Sequence, residues 1–229
     1  MTTTDTTDIE ATGPTFSIEQ QLDVRARTHR AVHTIAGRIT PGMVEEDAVA
    51  MARGILGEMD MRKGWHRVIV RFGPNTTKDF EAPSDPGVVL ADNDIYFIDI
   101  GPVYQGCEGD AGDTFVIGDD PEHHRAKRDV RILWDDVRNQ WFDNGLTGRE
   151  LYDYATQAAS DLGWRINLDL SGHRLSEFPH EAHYAGSLAD ADLRPQPNLW
   201  VLEMAIAHPQ RNFGAFYEDI LLPDQSHTD

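Results

Sequence analysis

Two strand–turn–strand segments carry acidic residues at matching places, and this pairing restricts the fold more than any other feature of the sequence. Asp99 and Asp110 flank the segment GPVYQGCEG, and Glu203 and Glu218 flank MAIAHPQRNFGAFY. If each segment is an antiparallel hairpin with a central turn, the two members of each pair face each other, with Cβ atoms about 5 Å apart. Like charges at this separation repel, so the pattern predicts either a cation between them or a protonated carboxyl.

The elements around the hairpins occur twice. The segment TPGMVEEDAVAMARGILG, which begins at Thr40, resembles TGRELYDYATQAASDLG, which begins at Thr147. Each starts at a threonine, continues for about four helical turns and precedes a strand region. The spacing of apolar residues, the caps and the β-branched runs predict helices over 17–38, 44–56, 121–144 and 147–162, and strands over 66–72, 95–100, 114–117, 164–170, 200–207 and 213–222. The fold class predicted is α+β, with two α/β halves in one duplicated domain.

Composition excludes several classes of partner. The chain has 229 residues, with 39 Asp and Glu against 20 Lys and Arg, which gives a formal net charge of −19. This charge argues against nucleic acid or an anionic membrane surface as the main partner, because both require a basic patch. No apolar stretch is long enough for a membrane-spanning helix, and the first residues do not resemble a secretory signal, so we expect a cytoplasmic protein. We expect residues 1–15 and 224–229 to be disordered or loose tails around a single domain at 16–223.

The segment between the hairpins adds imidazole groups to the four carboxylates. It reads SGHRLSEFPHEAH and contains His173 and His180. Carboxylates with one imidazole suit a pair of divalent first-row ions, with Mn, Fe or Co favoured and Zn as an alternative. Two ions that share a water lower its pKa and generate hydroxide near neutral pH. Each motif alone is also compatible with a purely structural role, because strand aspartates are common at sheet edges and turns and single histidines are common in protein cores.

Taken together, these motifs resemble the pita-bread metallohydrolases, the superfamily of methionine aminopeptidase, aminopeptidase P, prolidase and creatinase. The resemblance rests on IDIGPVYQGCEGDAGDTFVIG, SGHRLSEFPHE, LEMAIAHP and FYEDILL, and it covers about residues 17–223. It implies a pita-bread fold with two pseudo-symmetric halves around a curved antiparallel sheet. It also implies metal ligands in the family's order Asp, Asp, His, Glu, Glu, which are Asp99, Asp110, His173, Glu203 and Glu218 here.

The resemblance further implies a dinuclear metal-dependent hydrolase that cleaves an amide or peptide C–N bond through a metal-bridging hydroxide, as an aminopeptidase or Xaa-Pro dipeptidase does. His180, seven residues after the ligand histidine, would donate a hydrogen bond to the developing oxyanion. Glu203 would carry the proton of the nucleophile to the leaving nitrogen. The cofactors would be two divalent ions, Mn or Co first and Fe or Zn next. The partner would be a small peptide or small-molecule substrate, and prolidase-like relatives suggest a homodimer.

The sequence departs from the family at positions that shape the substrate pocket. The family's histidine about eighteen residues before the first Asp is absent, and Phe80 or Glu81 occupies that place. The arginine that prolidases carry two residues before the last Glu is replaced by Phe216. We therefore expect Glu81 and Phe216 to contact substrate, together with Arg174 beside the ligand histidine and His66 on the strand before GPN.

The sequence is compatible with two other functions. A creatinase-like enzyme would use the fold to hydrolyse a C–N bond of a small molecule, and the altered pocket residues favour such a specialised substrate. A non-catalytic binding module ranks lower, because the pita-bread domains without catalysis usually lack ligands and this chain keeps five. Uncompensated acidic groups converging in a protein interior would be unfavourable without a bound cation.

Overall fold

The computed structural model describes residues 9–223 of the chain. Its helices are α1 (Ile18–Ala36), α2 (Glu45–Glu58), α3 (Pro121–Asn139) and α4 (Gly148–Asp161). Its strands are β1 (Ile69–Phe72), β2 (Asp94–Ile100), β3 (Val103–Tyr104), β4 (Cys107–Glu108), β5 (Ala111–Ile117), β6 (Arg165–Ile166), β7 (His173–Arg174), β8 (Trp200–Ala207) and β9 (Gly214–Ile220). None of the helices within these residues is both long and apolar enough to cross a lipid bilayer.

One antiparallel sheet joins both halves of the chain. Its strand order is β1-β2-β5-β9-β8-β6, and β7 pairs with β8 beside this path. The order is symmetric about the contact between β5 and β9, where Gly112 lies opposite Glu218. Each half therefore contributes one long hairpin to the centre and a further strand to the edge, and the predicted α+β class with two similar halves is confirmed.

The helices begin where the sequence signals predict. The Ser17 side chain accepts a hydrogen bond from the backbone N–H of Gln20 at the start of α1. Thr147 and Glu150 form a reciprocal capping box at the start of α4, which satisfies donors that would otherwise lack partners. The predicted end of α2 before Gly57 is wrong. The helix continues to Glu58, and Asp60, with a φ of 59°, turns the chain away from it.

Two strands are shorter than predicted, and one helix changes its type near its end. The strand predicted over 66–72 occupies only Ile69–Phe72, and the one predicted over 164–170 occupies only Arg165–Ile166. The helix predicted over 121–144 is α-helical to Asn139 and ends in a π-helical turn, Gln140–Asn144. Residues 66–68 thus precede the sheet ladder, and His66 is not fixed by strand pairing.

The first hairpin does not have the predicted register. Asp99 lies opposite Gly112 and not opposite Asp110, because the connection is longer than a simple central turn. Strands β3 and β4 form a small hairpin of their own at the tip, closed by Gln105 and Gly106 with φ of 51° and 82°. In the second hairpin Glu203 does lie opposite Glu218, as predicted.

The alternation of side chains along the strands separates a core face from a polar face. Tyr96 and Ile98 of β2 pack with α1 and α2, and Met204 of β8 packs in the cluster formed with α3 and α4. Residues of the opposite parity form a small apolar cluster on the other face, which includes Phe97, Ala205 and Phe216. Because side chains alternate with a period of two, this second face also receives the strand carboxylates.

Residues 9–15 differ from the expected tail. The Glu10 carboxylate accepts hydrogen bonds from the Trp200 indole, at 2.7 Å, and from the backbone N–H of Gln196, at 2.8 Å. These contacts hold the segment against the second half of the sheet. Residues 1–8 and 224–229 lie outside the described part of the chain, so the expectation for them stays a prediction.

Candidate metal centre

The polar face of the sheet brings together all five residues expected as metal ligands. Ligand atoms of Asp110, His173, Glu203 and Glu218 all lie within 4.8 Å of one another. A second group satisfies the same limit and contains Asp99, Asp110 and His66, which the sequence predicted as a substrate contact and not as a ligand. Asp110 belongs to both groups and so lies between them. The four carboxylates are at most 7% exposed.

His173 is fixed by contacts at both ring nitrogens. Its Nε2 lies 2.7 Å from Asp110 Oδ2 and 3.3 Å from Glu203 Oε1. Its Nδ1 lies 2.6 Å from the carbonyl oxygen of Arg174. Because a carbonyl only accepts, Nδ1 carries a proton. Burial opposes the charged ring, but the hydrogen bonds and charges of Asp110 and Glu203 raise its pKa well above the ordinary value, so Nε2 is also protonated until a metal displaces that proton. Loss of the Nε2 proton leaves the tautomer with its lone pair toward the carboxylate cluster. This is the tautomer that a metal-binding histidine needs.

His180 lies beside His173, and its partner was not found by the sequence analysis. The two rings stack with centroids 5.4 Å apart. The Glu108 carboxylate, fully buried, accepts from His180 Nδ1 at 2.7 Å and from its backbone N–H at 3.1 Å. Among residues 9–223, no hydrogen-bond partner of His180 Nε2 is seen. Glu108 stands two residues before Asp110 in a glycine-rich turn, and the sequence gives no other sign of its role.

Residues of the fold behind the cluster fix the positions of both glutamates. The Tyr152 hydroxyl of α4 donates to the Glu203 carbonyl at 3.0 Å and accepts from the Glu203 N–H at 3.2 Å. Thr114 joins β5 to β9 by the same double contact with the backbone of Phe216. At Gly112, a Cβ atom would collide with the Phe216 ring and would lie 2.8 Å from Glu218 Oε1. A glycine there lets β9 approach closely enough to bring Glu218 into the cluster.

The electrostatics of the cluster reflect its excess of negative charge. Burial, with the nearby charges of Asp110 and Glu203, raises the pKa of Asp99 to about 7. Burial and the same crowding raise the pKa of Glu218 well above its ordinary value. Burial opposes the charged form of His66, but Asp99 and Asp110 outweigh it and raise the pKa of this imidazole to about 9. A divalent cation would neutralise this charge.

Comparison with known proteins identifies the family. The model of metallopeptidase family M24 matches residues 20–223. The chain belongs to this family. No significant match is found among curated protein sequences.

Solved structures show the same fold. This M24 chain matches an X-Pro aminopeptidase from Thermotoga maritima with a TM-score of 0.71 at 18% identity, covering 89% of this chain and 57% of that one. It matches a prolidase from Thermococcus sibiricus with a TM-score of 0.73 at 16% identity, covering 89% of this chain and 55% of that one. It matches a prolidase from Pyrococcus horikoshii with a TM-score of 0.68 at 19% identity, covering 88% of this chain and 58% of that one. The chain therefore spans less than three-fifths of the length of these structures. The pita-bread fold predicted from the motifs is confirmed.

The residues of this M24 chain fit the divalent ions that the family implies. Glu218 Oε1 is buried, and no hydrogen-bond partner for it exists within residues 9–223. A buried oxygen acceptor without a donor is unfavourable unless a cation or proton satisfies it. Carboxylate oxygens with imidazole nitrogen suit divalent first-row ions, and the buried Cys107 thiol is not part of either group.

The four residues expected to bind substrate have different positions. His66 lies in the cluster, with its side chain 7% exposed. Glu81 lies in an exposed loop, 3.7 Å from Arg67 Nη1. Phe216 is buried below the cluster, and its ring centroid lies 5.2 Å from that of Phe97. Glu81 does not belong to either group of ligand atoms.

Arg174 is not placed as a substrate contact. Its side chain is fully buried, and its guanidinium donates to the carbonyl oxygens of Ile9, Ala11 and Leu199 at 2.8–2.9 Å. The alternation along β7 explains the difference: His173 faces the cluster, so its neighbour Arg174 faces the opposite side. Two of these donors, Nε and Nη2, hold the N-terminal segment, and Nη1 holds Leu199. The expectation that Arg174 contacts substrate is therefore corrected, because its guanidinium is used inside the fold.

Proposed function

We propose that this chain is a dinuclear metal-dependent hydrolase that cleaves an amide or peptide C–N bond, and that Asp99, Asp110, His173, Glu203 and Glu218 hold the ions. The observation that carries the proposal is the convergence of four buried carboxylates and His173 on one face of the sheet. When bound, two divalent ions would supply Lewis acidity toward the carbonyl oxygen and a hydroxide near neutral pH. Mn and Co are the ions we propose first.

Two side chains would carry the proton chemistry. Glu203 is the most exposed of the four acidic residues, at 7%, and Tyr152 holds its backbone. Its carboxylate is suited to accept a proton and return it to the leaving nitrogen. His180 Nε2 is suited to donate a hydrogen bond to the developing oxyanion. The Glu108 carboxylate opposite Nδ1 stabilises the positive charge that the ring carries when both nitrogens are protonated.

A cavity beside the cluster supports a substrate with a free carboxylate. It is lined by His66 and Gly101 and by the arginines Arg53, Arg62 and Arg67. In a chain of net charge −19, three arginines around one cavity are a local excess of positive charge. The C-terminal carboxylate of a dipeptide or short peptide would match this charge, so we propose an aminopeptidase or Xaa-Pro dipeptidase.

Metal analysis and a pair of matched substrates test the proposal. Protein purified without chelator should contain close to two equivalents of metal per chain, and Asp110→Ala and His173→Ala should lose most of it. The enzyme should hydrolyse dipeptides faster than the same dipeptides with an amidated C-terminus. A folded parent that takes up no metal, even after loading with Mn or Co, would overturn the proposal.

A specialised hydrolase of small amides, of the creatinase-like kind, is the second candidate. The apolar surroundings of Phe216, where prolidases carry an arginine, favour it, because Ile69, Phe97 and Ala205 pack in the same cluster and supply no charge. Hydrolysis of small amides with no turnover of any peptide would favour this candidate. Homodimer formation and a cytoplasmic location stay predictions, which light scattering and cell fractionation test.

A further inference from the structure

We infer that His66 is an additional metal ligand, which binds the ion held by Asp99, so that each of the two ions has one imidazole ligand. The inference rests on the proposed dinuclear function and specifies its ligand set. In the expected family set, His173 is the single nitrogen ligand. The structure assigns a second nitrogen to the opposite side of Asp110.

The position of the His66 ring is the first observation. Its Nε2 lies 3.4 Å from Asp99 Oδ1 and 3.4 Å from Asp110 Oδ1. The nitrogen and the two oxygens are therefore close enough together to bind one ion as three of its ligands. The residue lies just before β1, where no strand pairing fixes it, so its orientation comes from these contacts and from packing.

His66 repeats the contacts of His173, which is the second observation. In both residues Nδ1 lies 2.6 Å from the carbonyl oxygen of the next residue, Arg67 or Arg174. In both, loss of the Nε2 proton therefore leaves the tautomer with its lone pair on Nε2, and this nitrogen faces Asp110, with His66 at Oδ1 and His173 at Oδ2. A metal ligand needs this tautomer, and a hydrogen bond from the other nitrogen commonly fixes it.

Packing around the His66 ring points to the same role. The Trp65 indole lies between the imidazoles, with centroids 4.3 Å from His66 and 4.7 Å from His173. Gly101, two residues after Asp99, has no side chain where the His66 ring approaches, and a Cβ atom there would collide with the ring. The glycine thus permits the approach of His66 to the carboxylates.

This ligand set affects the choice of metal. One ion would have Asp99, Asp110 and His66, and the other Asp110, His173, Glu203 and Glu218. Imidazole suits Fe, Co and Zn better than Mn, whereas carboxylates suit Mn. With a nitrogen on both sides, Co should be preferred to Mn among the two ions proposed first.

The test counts coordinated imidazoles and does not depend on activity. The parent, His66→Ala, His66→Gln and His173→Ala are titrated with Co²⁺ by calorimetry, and proton NMR then records the strongly shifted N–H signals of imidazoles bound to Co²⁺. His124→Ala is the matched control, because His124 is exposed and lies on α3. Thermal unfolding of each metal-free variant verifies that it is folded.

We expect two ions and two shifted N–H signals in the parent and in the control. Both His66 variants should lose one signal and bind one ion at least about 10-fold more weakly, and His173→Ala should lose the other signal. Two signals and unchanged affinities in folded His66→Gln would overturn the inference while leaving the dinuclear site intact. A parent that binds no Co²⁺ would overturn the proposed function itself, and this inference with it.

Discussion

The Glu108 carboxylate holds His180 at two points, its backbone N–H and its ring Nδ1. Glu108 lies in β4, at the tip of the first hairpin, whereas His180 follows β7 in the second half of the chain. The contact therefore couples the two halves next to the metal centre. Since both residues are buried, the pair fixes the orientation of the ring.

Replacing Glu108 by Gln should lower kcat more than KM. The amide keeps a hydrogen-bond acceptor for Nδ1 but removes the negative charge that stabilises a doubly protonated ring. We expect kcat to fall about 10- to 100-fold, below the full contribution of a general acid or hydrogen-bond donor. Steady-state kinetics with bound metal quantified in parallel would measure this, and metal content should not change.

Glu181→Gln serves as the control for this substitution, because Glu181 follows His180 directly and is exposed. Its kinetics should match those of the parent. His180→Ala and the double variant complete the cycle: when His180 is absent, Glu108→Gln should have little further effect. Equal losses from Glu108→Gln with and without His180 would show that Glu108 acts elsewhere.

The sequence predicts local structure well and the long connections poorly. The five expected ligands do converge, whereas their binding of metal stays a prediction. Ser17 and Thr147 cap their helices as predicted, since capping depends on neighbouring residues only. The predicted pairing of Asp99 with Asp110 is wrong, because the small hairpin of β3 and β4 within the connection shifts the register. Counting residues along the sequence does not reveal this second hairpin.

The contacts of Glu108 and His66 could not be predicted for a different reason. Each meets its partner across more than 30 positions of sequence, Glu108 with His180 and His66 with Asp99. No periodicity within either segment encodes such a contact, which depends on how the sheet brings separate segments together. For Arg174, a neighbour in sequence was misleading. Its position next to His173 predicted a substrate contact, whereas the alternation of side chains along the strand directs it into the protein.

Replacing Arg174 by Met should destabilise the protein without altering substrate binding. The change leaves the carbonyl oxygens of Ile9, Ala11 and Leu199 without this donor, and we expect the free energy of unfolding to fall by about 2–4 kcal/mol. Urea unfolding measures the loss, and limited proteolysis should cut the segment 9–16 faster. KM should stay unchanged, and Arg174→Lys should be intermediate in stability. A raised KM with an unchanged free energy of unfolding would indicate that Arg174 contacts substrate.

The Cys107 thiol should be nearly inert in the folded protein. Burial, with the nearby Glu108 charge, raises its pKa to about 12, and Sγ contacts Gln21 Oε1 at 2.7 Å. At pH 8 a disulfide reagent should therefore react about 100- to 1,000-fold more slowly with folded protein than with protein in urea. Because the folded thiol keeps its proton to a higher pH than the unfolded one, the free energy of unfolding should fall as pH rises from about 9 to 12. Rapid labelling at pH 8 without denaturant would contradict the buried placement.

Two glycine substitutions should have opposite effects, because the space around the two glycines differs. Gly112→Ala places a methyl group against Phe216 and Glu218 Oε1, whereas Gly54→Ala, on the exposed side of α2, meets no atom within 4 Å. We expect Gly112→Ala to reduce metal affinity about 10- to 100-fold and the free energy of unfolding by about 1–3 kcal/mol. Gly54→Ala should increase the free energy of unfolding by about 0.5–1 kcal/mol and leave metal affinity unchanged. Calorimetric metal titration and urea unfolding of both variants test the pair. Unchanged metal affinity in Gly112→Ala would mean that Glu218 does not need the close approach of β9 to β5.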